Sequence, residues 1–193
     1  MSGTSSGTVL HLVRHGRPLV DPSREPSTWG LDPEHVDGLA ALRGSGVLPM
    51  GARWVSSDEP KARESAEMLT DGPVALDAAL REQARPAGWL EDYALRIHRS
   101  LVHQETSAAP GWETAASTCA RVAAAVRDHR ERAAADGVRD LVLVGHGTAW
   151  TLLVADLTGR PVDLAAWERL QLPDACTLVG DQLRRRWGAW RES

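Results

Sequence analysis

Two histidines stand in matching contexts, Arg14-His15-Gly16 and Gly145-His146-Gly147. Each follows a short apolar run, residues 8–14 and 141–144, and each run stops at glycine. That pattern reads as a buried strand ending at a histidine. An imidazole there can serve as nucleophile, acid or base near neutral pH. The flanking glycines let a ligand approach the backbone closely. An arginine, Arg14, stands beside the first histidine. A single strand-end histidine is ordinarily structural, but two in matching contexts with an adjoining arginine point to an anion site.

A third segment, Ser56-Ser57-Asp58-Glu59-Pro60-Lys61-Ala62-Arg63-Glu64-Ser65-Ala66, also follows a short apolar run and opens a helix. A helix N-terminus favours an anion, and a cation in the first turn opposes the dipole. Lys61 is the only lysine among 22 basic residues. Its position there suggests that a bound negative charge offsets the cost; the plainer alternative is a solvated surface lysine. Glu82, in Leu80-Arg81-Glu82, follows the next strand. It is either a surface glutamate or a buried general acid with a raised pKa.

The elements needed to position these groups are legible. Strands are expected at 8–14, 53–56, 74–76, 141–144, 176–179 and 183–187, and helices at 33–45, from Pro60 through Leu69, at 113–136 and from Gly147 through 157. A shorter helical stretch is expected around 91–103 and a further turn within 161–172, with a loop at 17–32. Gly180-Asp181 joins the last two strands as a hairpin. Strands alternating with helices imply an α/β fold: a mainly parallel central sheet with helices on both faces and a C-terminal hairpin. Ligands of such sheets sit at the carboxyl ends of the strands. The chain is expected to form one domain over 1–193, with a small cap insertion at about 83–111 and a flexible tail at 1–7.

Composition narrows the classes. With 42% hydrophobic and 25% charged residues the chain is globular rather than disordered. No apolar run approaches the ~20 residues of a membrane span, and the N-terminus has no signal-peptide pattern. The net charge of −4 argues against nucleic acid as the main partner. Cys119 and Cys176 read as reduced thiols, so the location expected is cytoplasmic. The seven histidines show no paired helical spacing for a metal, and His98 and His103 read as solvent-facing or substrate-adjacent. Arg184-Arg185-Arg186 reads as a solvated edge. Trp54, Trp150 and Trp167 are candidate core, while Trp29, Trp89 and Trp112, set among Pro, Gly and Ser, either line a cleft or anchor loops.

The segments Leu-His-Leu-Val-Arg-His-Gly at 10–16, Ser-Ser at 56–57, Leu-Arg-Glu at 80–82 and Gly-His-Gly at 145–147 follow one another as in the histidine phosphatase superfamily, the phosphoglycerate-mutase-like fold. The chain resembles that family from about residue 8 to 158, and Gly111-Trp112-Glu113-Thr114 resembles the family's Gly-Glu-Ser stretch with one residue inserted. The resemblance implies a phosphohistidine mechanism with His15 as nucleophile. It implies Glu82 as acid/base, His146 as a catalytic and phosphate-pocket residue, and Arg14 in that pocket. Lys61 falls where most of the family carries a second arginine. Gly16 is expected beside the phosphate, and Thr148, Arg85, Trp89, Trp112 and Trp29 in the substrate cleft. Thr148 either donates to a phosphate oxygen or caps the following helix. Asp21 falls where mutase-like members often carry an asparagine, so either its loop is realigned or it turns outward.

The implied reaction is metal-independent hydrolysis of a small phosphorylated metabolite, with no cofactor, no nucleic acid or membrane partner, and the oligomeric state left open. The alternatives are a decayed pocket that binds a phosphorylated ligand or serves as a scaffold, a phosphohistidine protein phosphatase, and a phosphoglycerate mutase.

Overall fold

The structure, a computed structural model, describes residues 8–85, 90 and 92–192. The tail expected at 1–7 lies outside the described residues. Six strands form one sheet: β1 (Val9–Arg14), β2 (Arg53–Ser56), β3 (Val74–Leu76), β4 (Asp140–Gly145), β5 (Asp174–Val179) and β6 (Gln182–Arg185), in the order β3-β2-β4-β1-β5-β6. The β1–β4, β2–β4 and β2–β3 pairs are parallel; β5 runs antiparallel to both β1 and β6. The C-terminal hairpin turns at Gly180, whose φ of 60° suits a residue without Cβ. Its second strand stops at Arg185, two residues before the expected end.

Helices α1 (Asp37–Gly44), α2 (Pro60–Leu69), α3 (Tyr93–Val102), α4 (Ala115–Ala135), α5 (Gly147–Thr158) and α6 (Leu164–Glu168) cover the sheet. The central strands explain the division. Side chains alternate across a strand, and here both faces are apolar. Leu10, Leu12, Leu141 and Leu143 pack with Val122 and Val126 of α4 and Trp150 and Leu153 of α5. Val13, Val142 and Val144 pack on the opposite face with Leu39 and Leu42 of α1 and Ala66 and Leu69 of α2. A continuous apolar run therefore marks a strand buried on both sides.

The helix expected at 33–45 is broken. Pro33–His35 form a single 3-10 turn, where Asp32 accepts from the Glu34 N–H, and α1 begins only at Asp37. Ile97 and Leu101 of α3 pack with Ala109, Trp112 and Leu152. Trp54 and Trp150 are buried as expected, but Trp167 is only partly buried and lines the cavity described below.

Candidate active site

Strand register brings the site together. Arg14 lies opposite Gly145, so His15 and His146 leave neighbouring parallel strands at the same edge. The His15 N–H donates to the Gly145 carbonyl at 2.9 Å, and the Ser57 N–H to that of Val144 at 2.9 Å. The two imidazole rings stand 5.2 Å apart, centroid to centroid. They open onto a cavity of about 980 Å³ lined also by Arg14, Glu59, Lys61 and Glu82.

His15 is 6% exposed. Its Nδ1 lies 2.6 Å from the Gly16 carbonyl. A carbonyl only accepts, so Nδ1 carries the proton and the lone pair of the neutral ring sits on Nε2. Burial, then the neighbouring His146, Lys61 and Arg14, hold the His15 pKa well below 6.5.

The glycines have a different role from the one expected. The Gly16 N–H donates to Ser65 Oγ, and its carbonyl orients His15. A Cβ on Gly16 would stand 2.8 Å from Leu39 Cδ1. Gly16 is therefore a packing and orienting residue, with its N–H already engaged, rather than a phosphate donor. At Gly145 a Cβ would meet the Trp150 ring at 2.5 Å, and at Gly147 it would meet Arg14 Nε at 3.0 Å. Close packing of side chains disfavours a Cβ at all three.

Arg14 Nη1 donates to the Leu170 and Gln171 carbonyls at 2.9 and 3.3 Å. Its Nε is buried without a partner. Lys61, in the first turn of α2, is buried, and its Nζ donates to the Pro26 carbonyl at 2.8 Å and to Glu59 Oε2. The negative charge that offsets this cation is thus supplied by the chain itself. Glu59 is buried at 5% exposure, and its other oxygen accepts from the Glu82 N–H at 3.0 Å. That oxygen also lies 3.7 Å from His146 Nε2.

His146 is fully buried. Its Nε2 pairs with Ser57 Oγ at 2.9 Å, while Nδ1 has no partner. Burial, then Lys61, Arg85 and Arg14 against an opposing Glu82, bring its pKa down to about 3. Its neutral form is therefore favoured near neutral pH.

Glu82 accepts from the N–H groups of Thr148 and Ala149 at 3.1 and 2.9 Å. It therefore caps α5 from across the cavity, where the dipole favours a carboxylate. Burial pushes its pKa up, but Arg85, His146 and the N–H groups of Gln83 and Thr148 outweigh this and hold it below 4.5. The raised pKa expected of a buried general acid is not found. Thr148 contributes its N–H to that cap, and its hydroxyl accepts from Arg85 Nη2 at 2.8 Å.

Trp29 and Trp112 are buried in the cavity wall and Arg85 lines it. Trp29 Nε1 donates to the Asp21 carbonyl, so it anchors its loop as well. Trp89 lies outside the described residues. The Asp21 carboxylate accepts from the Ser23 N–H and hydroxyl, which turns it outward into its own loop. His98 meets Trp167 edge to face, with ring centroids 6.5 Å apart, and neither His98 nor His103 lines the cavity. Among the described residues no group of three or more His, Cys, Asp or Glu is placed to hold a metal, and no helix is long and apolar enough to cross a membrane.

Two supporting residues had little or no distinguishing signal. Arg121 of α4 donates to the Ala79, Arg81 and Glu82 carbonyls and pairs with Glu113 at 2.8 Å, which fixes the chain leading to Glu82. In an arginine-rich helix nothing marks it out. Glu59 carries a faint one: an acid two residues before the only lysine.

The histidine phosphatase superfamily (branch 1) family model matches residues 10–190, and the chain belongs to that superfamily. The fold is that of the phosphoglycerate-mutase-like proteins, and the protein is a phosphatase. Among solved structures it is similar to a mycobacterial glucosyl-3-phosphoglycerate phosphatase in complex with VO3, at 26% identity over 95% of this chain and 98% of that one, with a TM-score of 0.67. It is also similar in fold to a phosphoglycerate mutase from Bacillus anthracis, at 19% identity over 94% of this chain and 93% of that one, with a TM-score of 0.71. No curated protein matches the chain.

Proposed function

We propose that the protein hydrolyses phosphomonoesters of small metabolites through a phosphohistidine on His15, without a metal. The observation that carries this is the fixed tautomer: Nδ1–H on the Gly16 carbonyl leaves the Nε2 lone pair in a cavity wall shared with Arg14, Lys61 and His146. Nε2 attacks phosphorus, the P–O ester bond breaks, and the leaving oxygen takes a proton from Glu82. Water then attacks the phosphohistidine, Glu82 takes its proton, and the P–N bond breaks to release inorganic phosphate.

Cations around Glu82 and His146 favour the ionised carboxylate and the neutral imidazole. A phosphoryl dianion reverses that balance and raises the proton affinity of both groups. A Ser57 hydroxyl donating to His146 Nε2 leaves Nδ1–H for a phosphoryl oxygen. Arg14 Nε and Lys61 serve the same oxygens as charge builds in the transition state. The mycobacterial neighbour's substrate, a sugar-bearing phosphoglycerate, supports a phosphorylated small molecule as the class.

The test is release of inorganic phosphate from a panel of phosphomonoesters in the presence of a chelator. Release by the wild type that is lost in His15→Ala is the expected result. Release that requires an added metal, or that persists in the variant, contradicts the proposal.

A further inference from the structure

Three helices meet at Glu82, and α4 holds its main chain. The Glu82 carboxylate accepts from the N–H groups of Thr148 and Ala149 at the start of α5, and its own N–H donates to Glu59, just before α2, at 3.0 Å. Its carbonyl accepts from Arg121 Nη2 of α4 at 3.3 Å. Arg121 Nη1 also reaches the carbonyls of Ala79 at 2.8 Å and Arg81 at 3.1 Å. The same guanidinium grips the Glu113 carboxylate through Nε at 3.2 Å and Nη2 at 2.8 Å. Glu113 in turn takes the Ala84 N–H at 3.1 Å and gives its own N–H to the Ala84 carbonyl at 2.9 Å. Nε2 of the buried Gln83 donates to the Glu113 carbonyl at 2.7 Å. The chain on both sides of Glu82 is thus tied to one arginine and its carboxylate partner.

Chemistry gives this clamp a task beyond stability. While ionised, Glu82 is held from α5 by charge-assisted hydrogen bonds. A carboxyl that donates a proton to the leaving oxygen is first neutral, and a helix N-terminus holds a neutral group less strongly. Its placement then depends on the backbone that carries it. A guanidinium can reach three carbonyls and a carboxylate at once because its five donors form a fixed fork; a lysine ammonium, with its donors on one atom, cannot.

We infer that Arg121 is a positioning residue for general-acid catalysis. Through the main chain at 79–82, and through Glu113 at Ala84, it sets where the Glu82 carboxyl meets the leaving oxygen. The inference rests on the proposed role of Glu82 as donor to that oxygen. Arg121 acts through Glu82 and not on the phosphoryl group. Its loss therefore falls on esters whose leaving oxygen needs a proton and spares esters that leave as stable anions.

The test is kcat/KM, which covers the steps through phosphoryl transfer, for phenyl phosphate and 2,4-dinitrophenyl phosphate. The second ester releases a stabilised phenolate that needs no proton. The ratio of the two rates within one variant does not depend on how much of the protein is active. Arg121→Gln is expected to lower the phenyl rate at least ~10-fold more than the dinitrophenyl rate, part of the ~100-fold or more that a well-placed general acid supplies. Glu82→Gln shifts the ratio in the same direction and further. An equal loss on both esters in Arg121→Gln, with the ratio shifted in Glu82→Gln, overturns the inference and leaves Glu82 as the acid. An unchanged ratio in Glu82→Gln contradicts the role of Glu82 itself, and the inference with it. Arg121→Lys keeps the cation without the fork and carries the same test where Arg121→Gln does not fold: a shifted ratio is expected, and an unshifted one overturns the inference.

Discussion

Glu59 and Lys61 form a buried ion pair in the wall of the cavity. The pair neutralises a cation that stands at an unfavourable place in the first turn of α2, and Glu59 also takes the backbone N–H of Glu82. Removing the carboxylate leaves the buried Lys61 charge without its counterion. Glu59→Gln is expected to lose about 3 kcal/mol of stability. Inorganic phosphate, by supplying the missing negative charge, is expected to restore more stability in the variant than it adds to the wild type. Denaturant unfolding with and without phosphate measures both quantities; equal stabilisation of the two proteins would place Lys61 away from the bound anion.

Lys61 contributes charge but not a fork. Lys61→Arg is expected to retain much of the phosphatase activity, and Lys61→Ala to lose at least ~10-fold in kcat/KM, the scale of one transition-state contact. Steady-state kinetics on the best ester of the panel decide this. Full activity in Lys61→Ala would show that the lysine serves only its pair with Glu59.

Gly147 is held to glycine by Arg14, whose Nε lies 3.0 Å from where a Cβ would stand. Arg14 is anchored to two carbonyls and has little room to yield. Gly147→Ala is expected to displace the guanidinium and lower kcat/KM about 10-fold or more, while the unfolding midpoint moves little. Unchanged kinetics would mean that Arg14 does not meet the substrate through Nε.

The two site histidines couple stability to pH with a definite sign. Their pKa values in the folded protein lie below 6.5, so the unfolded chain binds protons first as pH falls. For His146 the loss runs from pH 6.5 down to about 3, at ~1.4 kcal/mol per pH unit. Unfolding free energy is therefore expected to fall between pH 7 and pH 5, and His146→Asn to reduce that fall by about 2 kcal/mol. Denaturant unfolding at both pH values, in both proteins, measures it. Parallel falls would mean that His146 is not neutral in the folded state. The downward shift on His15 acts on stability with the same sign.

The central strands and the convergence of the site were legible because both follow from local rules. Apolar runs ending at glycine marked β1 and β4, and parallel register then carried His15 and His146 to one edge. Side-chain reach follows no such rule. The spacing Glu59-Pro60-Lys61 does not say that the acid folds back onto the lysine, and no pattern separates Arg121 from the other arginines of α4. The charge states were also hidden: Glu82 looks like an isolated acid in sequence, yet in the fold it meets the start of α5 and Arg85. Trp167 looked like core because its neighbours are apolar, but α6 presents it to the cavity.

The central claim is a phosphoryl group carried on His15, and rapid quenching of the turning-over enzyme into alkali, followed by mass spectrometry, tests it most directly. Phosphorylation of His15 in the wild type, absent in His15→Asn, is the predicted result. Phosphate release at full rate with His15 unmodified at every quench time would contradict it and assign the hydrolysis to direct attack by water.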